Sequence, residues 1–280
     1  FGLPKGRMFD GVAALMADAG CSVQTTTRDY RAVIANSDFR VKILKPQSIV
    51  EMLTLGRRDI GFAGADWVEE LGAELVELVD TGLNPVRVVA AAPEAILEGG
   101  CLPRRRLVVA SEYAELTRRW IARKELDATF LRSWGATEVL PPEDADCIVD
   151  NTATGSTLAA NRLQIIDTIM TSSTRLYANP RALEDPSRRE RIEDFVLLLR
   201  SVLEARKRVL LEVNVSADDL ESVAALLPCM RRPTIGTLYG DDAYAVKVAV
   251  LRAELPLLIP KLKRAGAADV VVSKLSQIIP

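Results

Sequence analysis

Short apolar runs alternate with helical patterns over the first 180 residues, and this rhythm constrains the fold more than any other feature. Strand candidates are Val41–Leu44, Ile60–Ala63, Val86–Ala91, Leu107–Ala110, Cys147–Val149 and Leu163–Asp167. Between them, 3.6-residue periodicity predicts helices over Phe9–Ala19, Ser48–Leu55 and Ala114–Lys124, the first two stopped by Gly20 and Gly56. Strands separated by helices argue for an α/β fold with mostly parallel sheets, whose ligands sit at strand C-terminal ends. At 280 residues the chain has room for about two domains.

The stretch Ile148–Asn161 gives this rhythm a chemical meaning. A strand ends in Asp150. A loop of small residues follows, Asn151, Thr152, Ala153, Thr154, Gly155, Ser156 and Thr157, and then a helix-prone segment. Strand, hydroxyl-rich loop and helix start form a phosphate cradle, with N–H groups and hydroxyls aimed at an anion. Gly155 lets backbone approach closely. An ordinary helix cap by Ser156 or Thr157 explains the loop equally well at this point. A Walker A loop is excluded, because no Gly-Lys-Ser/Thr follows.

The chain has no histidine. That removes Ser–His and Cys–His nucleophiles and the usual zinc sites. Carboxylates, Lys/Arg, hydroxyls and backbone amides remain, and they suit transfer chemistry on a phosphorylated substrate, where positioning and electrostatics dominate. Thirty-six basic and 38 acidic residues give a net charge of −2. No nucleic acid or anionic membrane is expected as partner. Arg104-Arg105-Arg106 and Arg188-Arg189 read as solvated faces. No apolar stretch approaches the roughly 20 residues of a membrane span. Phe1 is not an initiator methionine, so residues ahead of it are expected, but no signal-peptide pattern is visible. The four scattered cysteines, Cys21, Cys101, Cys147 and Cys229, read as reduced thiols of a cytoplasmic protein.

Asp185–Arg206 reads as one long amphipathic helix. The last 75 or so residues follow a different order. A strand over Val209–Val215 leads to Ser216, which with Asp219 makes a capping box for a helix ending before Pro228. Strands over Pro233–Leu238 and Tyr244–Leu251 flank the turn Gly240-Asp241-Asp242. A helix to Arg264 and a strand over Asp269–Ser273 complete a β-α-β-β-α-β, ferredoxin-like unit. It carries no obvious nucleophile, so it reads as a regulatory or assembly domain, with a purely structural cap as the alternative.

Taken together these motifs resemble the long form of ATP phosphoribosyltransferase, the first enzyme of histidine biosynthesis. Leu3-Pro4-Lys5-Gly6-Arg7 is similar to the family's opening, and Thr27-Arg28-Asp29-Tyr30 to its next motif. Asp59 to Asp66 is similar to D-[IL]-G-x-x-G-x-D, Glu138 to the Glu ahead of the phosphate loop, and Asp150–Leu158 to that loop. Leu226-Leu227-Pro228, Pro233-Thr234-Ile235 and Lys263–Ala267 resemble the regulatory domain. The chain departs from the family at Leu83–Arg87 and Pro141–Asp146, both outside the loop. Asp150 followed by Asn151, rather than by a second acid, argues against a purine- or orotate-type phosphoribosyltransferase.

The resemblance implies two α/β lobes like those of type II periplasmic binding proteins around a cleft, plus the C-terminal domain. Lobe I would be 1–86 and 164–206, lobe II 87–163, and the regulatory domain 207–280. It implies transfer of phosphoribose from phosphoribosyl pyrophosphate to N1 of ATP, with feedback inhibition by histidine. Asp150, Thr152, Ala153, Thr154, Gly155, Ser156 and Thr157 would bind phosphoribosyl pyrophosphate. Lys5 and Arg7 would neutralise the leaving group with Mg²⁺ carried mainly by the diphosphate. Arg28, Asp66 and Glu138 are candidates for the ATP side, and Asn214 and Thr234 for the effector. A homo-oligomer, from dimer to hexamer, is implied. A non-catalytic solute binder is the runner-up, though such receptors usually carry an export signal. A catalytically dead paralogue is a third reading, against which the intact loop argues.

Overall fold

The structure is a computed structural model, and it describes residues 1–25, 31–35, 37–228 and 232–279. The chain divides into two compact units, residues 1–17 with 21–193, and residues 18–20 with 194–280.

In the first unit, strands β1 (Gly2–Pro4), β2 (Val23–Thr25), β3 (Arg31–Ile34), β4 (Val41–Leu44) and β5 (Ile60–Gly64) alternate with helices α1 (Arg7–Asp18), α2 (Pro46–Thr54) and α3 (Ala65–Glu70). Then come β6 (Val76–Pro93), β7 (Leu107–Ser111), α4 (Ala114–Arg123), β8 (Ala128–Arg132), β9 (Cys147–Thr152), α5 (Ser156–Ala160) and β10 (Leu163–Ala178). The ten strands form one sheet in the order β2-β3-β4-β1-β5-β10-β6-β9-β7-β8.

Two parallel groups stand at the heart of the lobes, β4-β1-β5 in lobe I and β9-β7-β8 in lobe II. Between them β10 and β6 run antiparallel to each other and to their neighbours. The sheet is therefore mixed, not mostly parallel as the sequence pattern suggested. The expected strands Val86–Ala91 and Leu163–Asp167 are only pieces of β6 and β10, which are 18 and 16 residues long and traverse both lobes. Five register shifts along this pair break its alternation. Gly82, Asn84 and Pro85 punctuate β6, so only its buried half, Val88–Ala92, reads as an apolar run.

Alternate residues of the lobe II strands fill cores on both faces of the sheet. Val88, Ala90, Val109 and Val149 pack with Tyr113 and Trp120 on one face, and Val89, Ala91, Ala110 and Ile148 with Leu158 on the other. Strands covered on both faces read as near-continuous apolar runs, which is why β7 and the start of β9 were found from sequence.

The boundary between the units falls inside α6 (Pro186–Lys207), the expected long helix. The second unit continues with β11 (Arg208–Ser216), α7 (Leu220–Leu226), β12 (Thr234–Thr237), β13 (Ala243–Leu251), α8 (Leu255–Arg264) and β14 (Val270–Lys274). Its antiparallel sheet has the order β12-β13-β11-β14, a ferredoxin-like arrangement. Val209, Leu211, Val213 and Val215 face Leu258 and Leu262 across its core. Ser216 and Asp219 do pair, Asp219 N–H donating to Ser216 Oγ at 3.2 Å. However, α7 starts only at Leu220, with Asp219 at its N-cap, so the pair forms a turn ahead of the helix and not a capping box. Among the described residues no helix is long and apolar enough to cross a membrane.

Candidate active site

The phosphate loop emerges where β9 ends, at a strand C-terminus as the fold requires. Thr152 turns its hydroxyl back to accept from Gly155 N–H at 2.9 Å. Thr154 Oγ1 accepts from Ser156 N–H at 3.3 Å and shares a hydrogen bond with Ser156 Oγ at 2.9 Å. Gly155 sits at φ +83, the left-handed region, as the N-cap of α5. An added Cβ would meet only Ile165 Cδ1, at an ordinary 3.8 Å. Glycine is needed here for its left-handed backbone conformation.

A cavity of about 340 Å³ lies over this loop. Asp150, Thr152, Ala153, Thr154, Ser156 and Thr157 line it. So do Arg7 at the start of α1 and Glu138, both of which the sequence proposed. Glu112, Gly135, Ala136 and Thr137, which went unrecognised, complete the wall with Asn151 and Leu158 of the loop segment. Glu112 was findable in principle, since it follows β7 at the C-terminal end of a parallel strand. Burial pushes the Asp150 carboxyl up to about 6, with the charges of Glu138 and Glu112 adding to the rise and the Asn151 N–H opposing it. Among the described residues the site thus offers one cation, three carboxylates and a ring of hydroxyls and N–H groups to a ligand.

Other proposed residues are placed differently. Lys5 is exposed and does not line the cavity; its backbone N–H bonds Leu44 O at 2.8 Å. Arg28 lies outside the described residues. Asp66, expected on the ATP side, is buried and absent from the cavity wall. Its Oδ2 accepts from Tyr113 Oη at 2.6 Å, and its Oδ1 from Ser172 Oγ at 2.7 Å. Asn151 Nδ2 donates to the same Tyr113 hydroxyl at 2.9 Å. A buried network therefore runs from β10 through Asp66 and Tyr113 to the residue after Asp150. Burial, then the Asp66 charge, hold the Tyr113 phenol well above its ordinary value, so it stays a donor. Trp67 stacks on the Tyr113 ring, centroids 4.7 Å apart. Gly64 is obligatory, because a Cβ there would lie 2.1 Å from Asp66 Oδ1. Sequence spacing could not reveal this network, whose partners are 38 to 106 residues apart.

The effector candidates Asn214 and Thr234 both lie on the sheet face away from α7 and α8, with β13 between their strands. Asn214 Nδ2 donates to Asp269 Oδ2 at 3.1 Å. Among the described residues no cluster of three His, Cys, Asp or Glu side chains is arranged to hold a metal.

Two α/β lobes, joined by long paired strands and carrying a hydroxyl-rich loop at a strand end, define a two-lobed α/β protein with its candidate site on that loop. Known proteins narrow the class. The family described as HisG: ATP phosphoribosyltransferase matches residues 45–201, and the one described as HisG, C-terminal domain matches 205–277. The ATP phosphoribosyltransferase of Chlorobium phaeobacteroides is 36% identical, over 99% of this chain and 96% of its own length. That of Pelotomaculum thermopropionicum is 36% identical over 100% and 98%. Among solved structures, the ATP phosphoribosyl transferase (HisG:HisZ) complex from Thermotoga maritima superposes with a TM-score of 0.64 at 27% identity, covering 72% of this chain and 97% of that one. The chain belongs to the ATP phosphoribosyltransferase family, in the long-form arrangement of two lobes and a C-terminal regulatory domain. It is accordingly a pentosyltransferase of histidine biosynthesis, whose class takes ATP and phosphoribosyl pyrophosphate as substrates.

Proposed function

We propose that the chain transfers phosphoribose from phosphoribosyl pyrophosphate to N1 of ATP, releasing pyrophosphate. One observation carries this reading. The loop Thr152–Thr157, Asp150, Glu138 and Arg7 share a single cavity. In it the hydroxyls of Thr154, Ser156 and Thr157, with the opening N–H groups of α5, hold the ribose 5-phosphate. Asp150 and its neighbouring carboxylates face the ribose, where an oxocarbenium-like positive charge develops as pyrophosphate leaves. Arg7 neutralises the leaving diphosphate. Mg²⁺ enters as part of the substrate complex, carried mainly by the diphosphate. The chemistry needs little proton transfer, in keeping with a chain without histidine.

We infer further that free histidine, as pathway end product, binds the C-terminal domain and lowers activity. The ferredoxin-like fold and its match to the HisG C-terminal domain support this. A homo-oligomer transmitting the signal, and a cytoplasmic location, belong to the same reading. Mixing ATP, phosphoribosyl pyrophosphate and Mg²⁺ with the full chain should release pyrophosphate, and added histidine should suppress it. No pyrophosphate release would remove the transferase reading. Release that histidine leaves unchanged, with no histidine binding by calorimetry, would leave the C-terminal domain as an assembly module.

A further inference from the structure

The chain has three tryptophans, at 67, 120 and 134. Two of them serve packing: Trp120 is buried, and Trp67 stacks on Tyr113. Trp134 is 85% exposed and contributes little to packing. Aromatic side chains carry the largest apolar surfaces, so an indole standing in water calls for a reason.

The backbone around it is held in place. Ser133 N–H donates to Ser111 O at 3.0 Å, extending the pairing of β8 with β7 by one residue. Ser133 Oγ and Thr137 Oγ1, both buried, share a hydrogen bond of 2.7 Å that closes the turn between them. Inside the turn Gly135 has φ +111 and Ala136 φ +49. Left-handed backbone disfavours alanine, so the surrounding structure keeps the turn against a local cost. Arg132 steadies the ring itself, its Cζ 4.9 Å from the indole centroid. A guanidinium thus backs one face of the ring, and the exposure leaves the other face open.

The turn also stands at the catalytic end of the sheet. Strands β7, β8 and β9 are parallel, so the turn after β8 lies at the same end as Glu112 after β7 and the phosphate loop after β9. Gly135, Ala136, Thr137 and Glu138 line the catalytic cavity, and Trp134 is one peptide unit from that wall. The cavity, of about 340 Å³, is near the bottom of the roughly 300–1,000 Å³ range for a single small-molecule site. The proposed reaction brings two phosphorylated substrates together, so part of one of them must lie over the rim.

We propose that Trp134 is the stacking surface for the adenine of ATP, on the rim of the catalytic cavity. This rests on the transferase reading and assigns one residue within it. Phosphoribosyl pyrophosphate has no aromatic ring, so ATP is the substrate with a flat face to offer an indole. A stack also suits the chemistry. It holds the base by its face and leaves the Watson–Crick edge, which carries N1, unblocked. The N1 lone pair is then free to bond ribose C1 while the C1–O bond breaks and its electron pair leaves with pyrophosphate. A base held through hydrogen bonds at N1 would have its nucleophile occupied.

The test uses the full chain. As the exposed tryptophan, Trp134 should dominate the red edge of the fluorescence and its quenching by acrylamide, a binding readout independent of turnover. ATP with Mg²⁺, titrated alone and with pyrophosphate present, should shield that emission from acrylamide, and inorganic tripolyphosphate should not. Trp134→Ala should raise the KM for ATP by about tenfold, the scale of one lost base–aromatic stack, with the KM for phosphoribosyl pyrophosphate and the urea midpoint unchanged. Trp134→Phe should restore most of that loss. An unchanged KM for ATP in Trp134→Ala, with pyrophosphate still released, overturns the stacking role and leaves the transferase reading standing. Shielding by ATP in a chain that releases no pyrophosphate does the reverse. Tripolyphosphate shielding Trp134 as well as ATP does would overturn the assignment to the base. So would acrylamide resistance in the free protein that disappears on dilution, because the ring would then sit in a contact between copies of the chain.

Discussion

The phosphate loop and the Asp66–Tyr113 network touch at Asn151, yet they are built in opposite ways. The loop is exposed, and its hydrogen bonds join residues two or three apart, as in Thr152 to Gly155 and Thr154 to Ser156. The network is buried, and its bonds join β10, the start of α3 and the residues just before α4. The loop can change a side chain without disturbing the core, whereas the network cannot. Function and stability should therefore separate in the first and move together in the second.

Tyr113→Phe is the severest test. It removes one oxygen, leaving the buried Asp66 carboxylate and the Asn151 amide each short of a partner. A loss of roughly 2–4 kcal/mol is expected in urea unfolding, because an unsatisfied buried charge costs more than a neutral bond. Affinity for phosphoribosyl pyrophosphate should fall with it, since Asn151 adjoins Asp150. A stable variant with full activity would show that the network is idle.

In the loop, Thr157→Val should raise the KM for phosphoribosyl pyrophosphate by about tenfold to a hundredfold with the urea midpoint unchanged, the equivalent of about 1.5–3 kcal/mol of lost charge-assisted hydrogen bonding. Gly155→Val should show the same binding defect plus roughly 1–2 kcal/mol of backbone strain from its positive φ. If Thr157→Val destabilised the fold as much as Tyr113→Phe, the contrast between the two regions would collapse.

Asp150 stands between them, and pH reads it. Its carboxyl titrates at about 6 when folded and near 4 when unfolded. The folded state therefore binds more protons in that window, and stability falls as pH rises through it. The penalty is absent below about pH 4 and complete above about pH 6. Asp150→Asn should recover on the order of 1–2 kcal/mol at pH 7–8, allowing for partial exposure, and flatten that part of the stability profile. In the wild type kcat/KM should rise through about pH 6 as the carboxylate forms, and in the variant it should not. Unchanged pH profiles in the variant would assign the transition to another group.

The smallest contrast lies between the two cations. Arg7 lines the cavity and Lys5 does not, so Arg7→Ala should lower turnover by about tenfold or more, and Lys5→Ala by only a few-fold through long-range charge. Equal effects would place Lys5 in the site after rearrangement on substrate binding.

Much of this molecule was legible because it is local. The loop from Asp150 to Thr157, the helices stopped at Gly20 and Gly56, and the order of elements in the C-terminal unit all follow from residue types a few positions apart. Propensity, periodicity and turn chemistry act over that range, so the sequence alone set them. Tertiary structure decided the rest. It ran β6 and β10 through both lobes, because pairing across bulges can extend a strand through polar stretches that no apolar pattern marks. It buried Asp66, a residue that the family resemblance had proposed for the ATP side, because Tyr113 and Ser172 arrive from distant segments to satisfy its charge. It also brought Glu112, Glu138 and Asp150 to one cavity wall, where proximity and burial raise a carboxyl to a value that no list of residues contains.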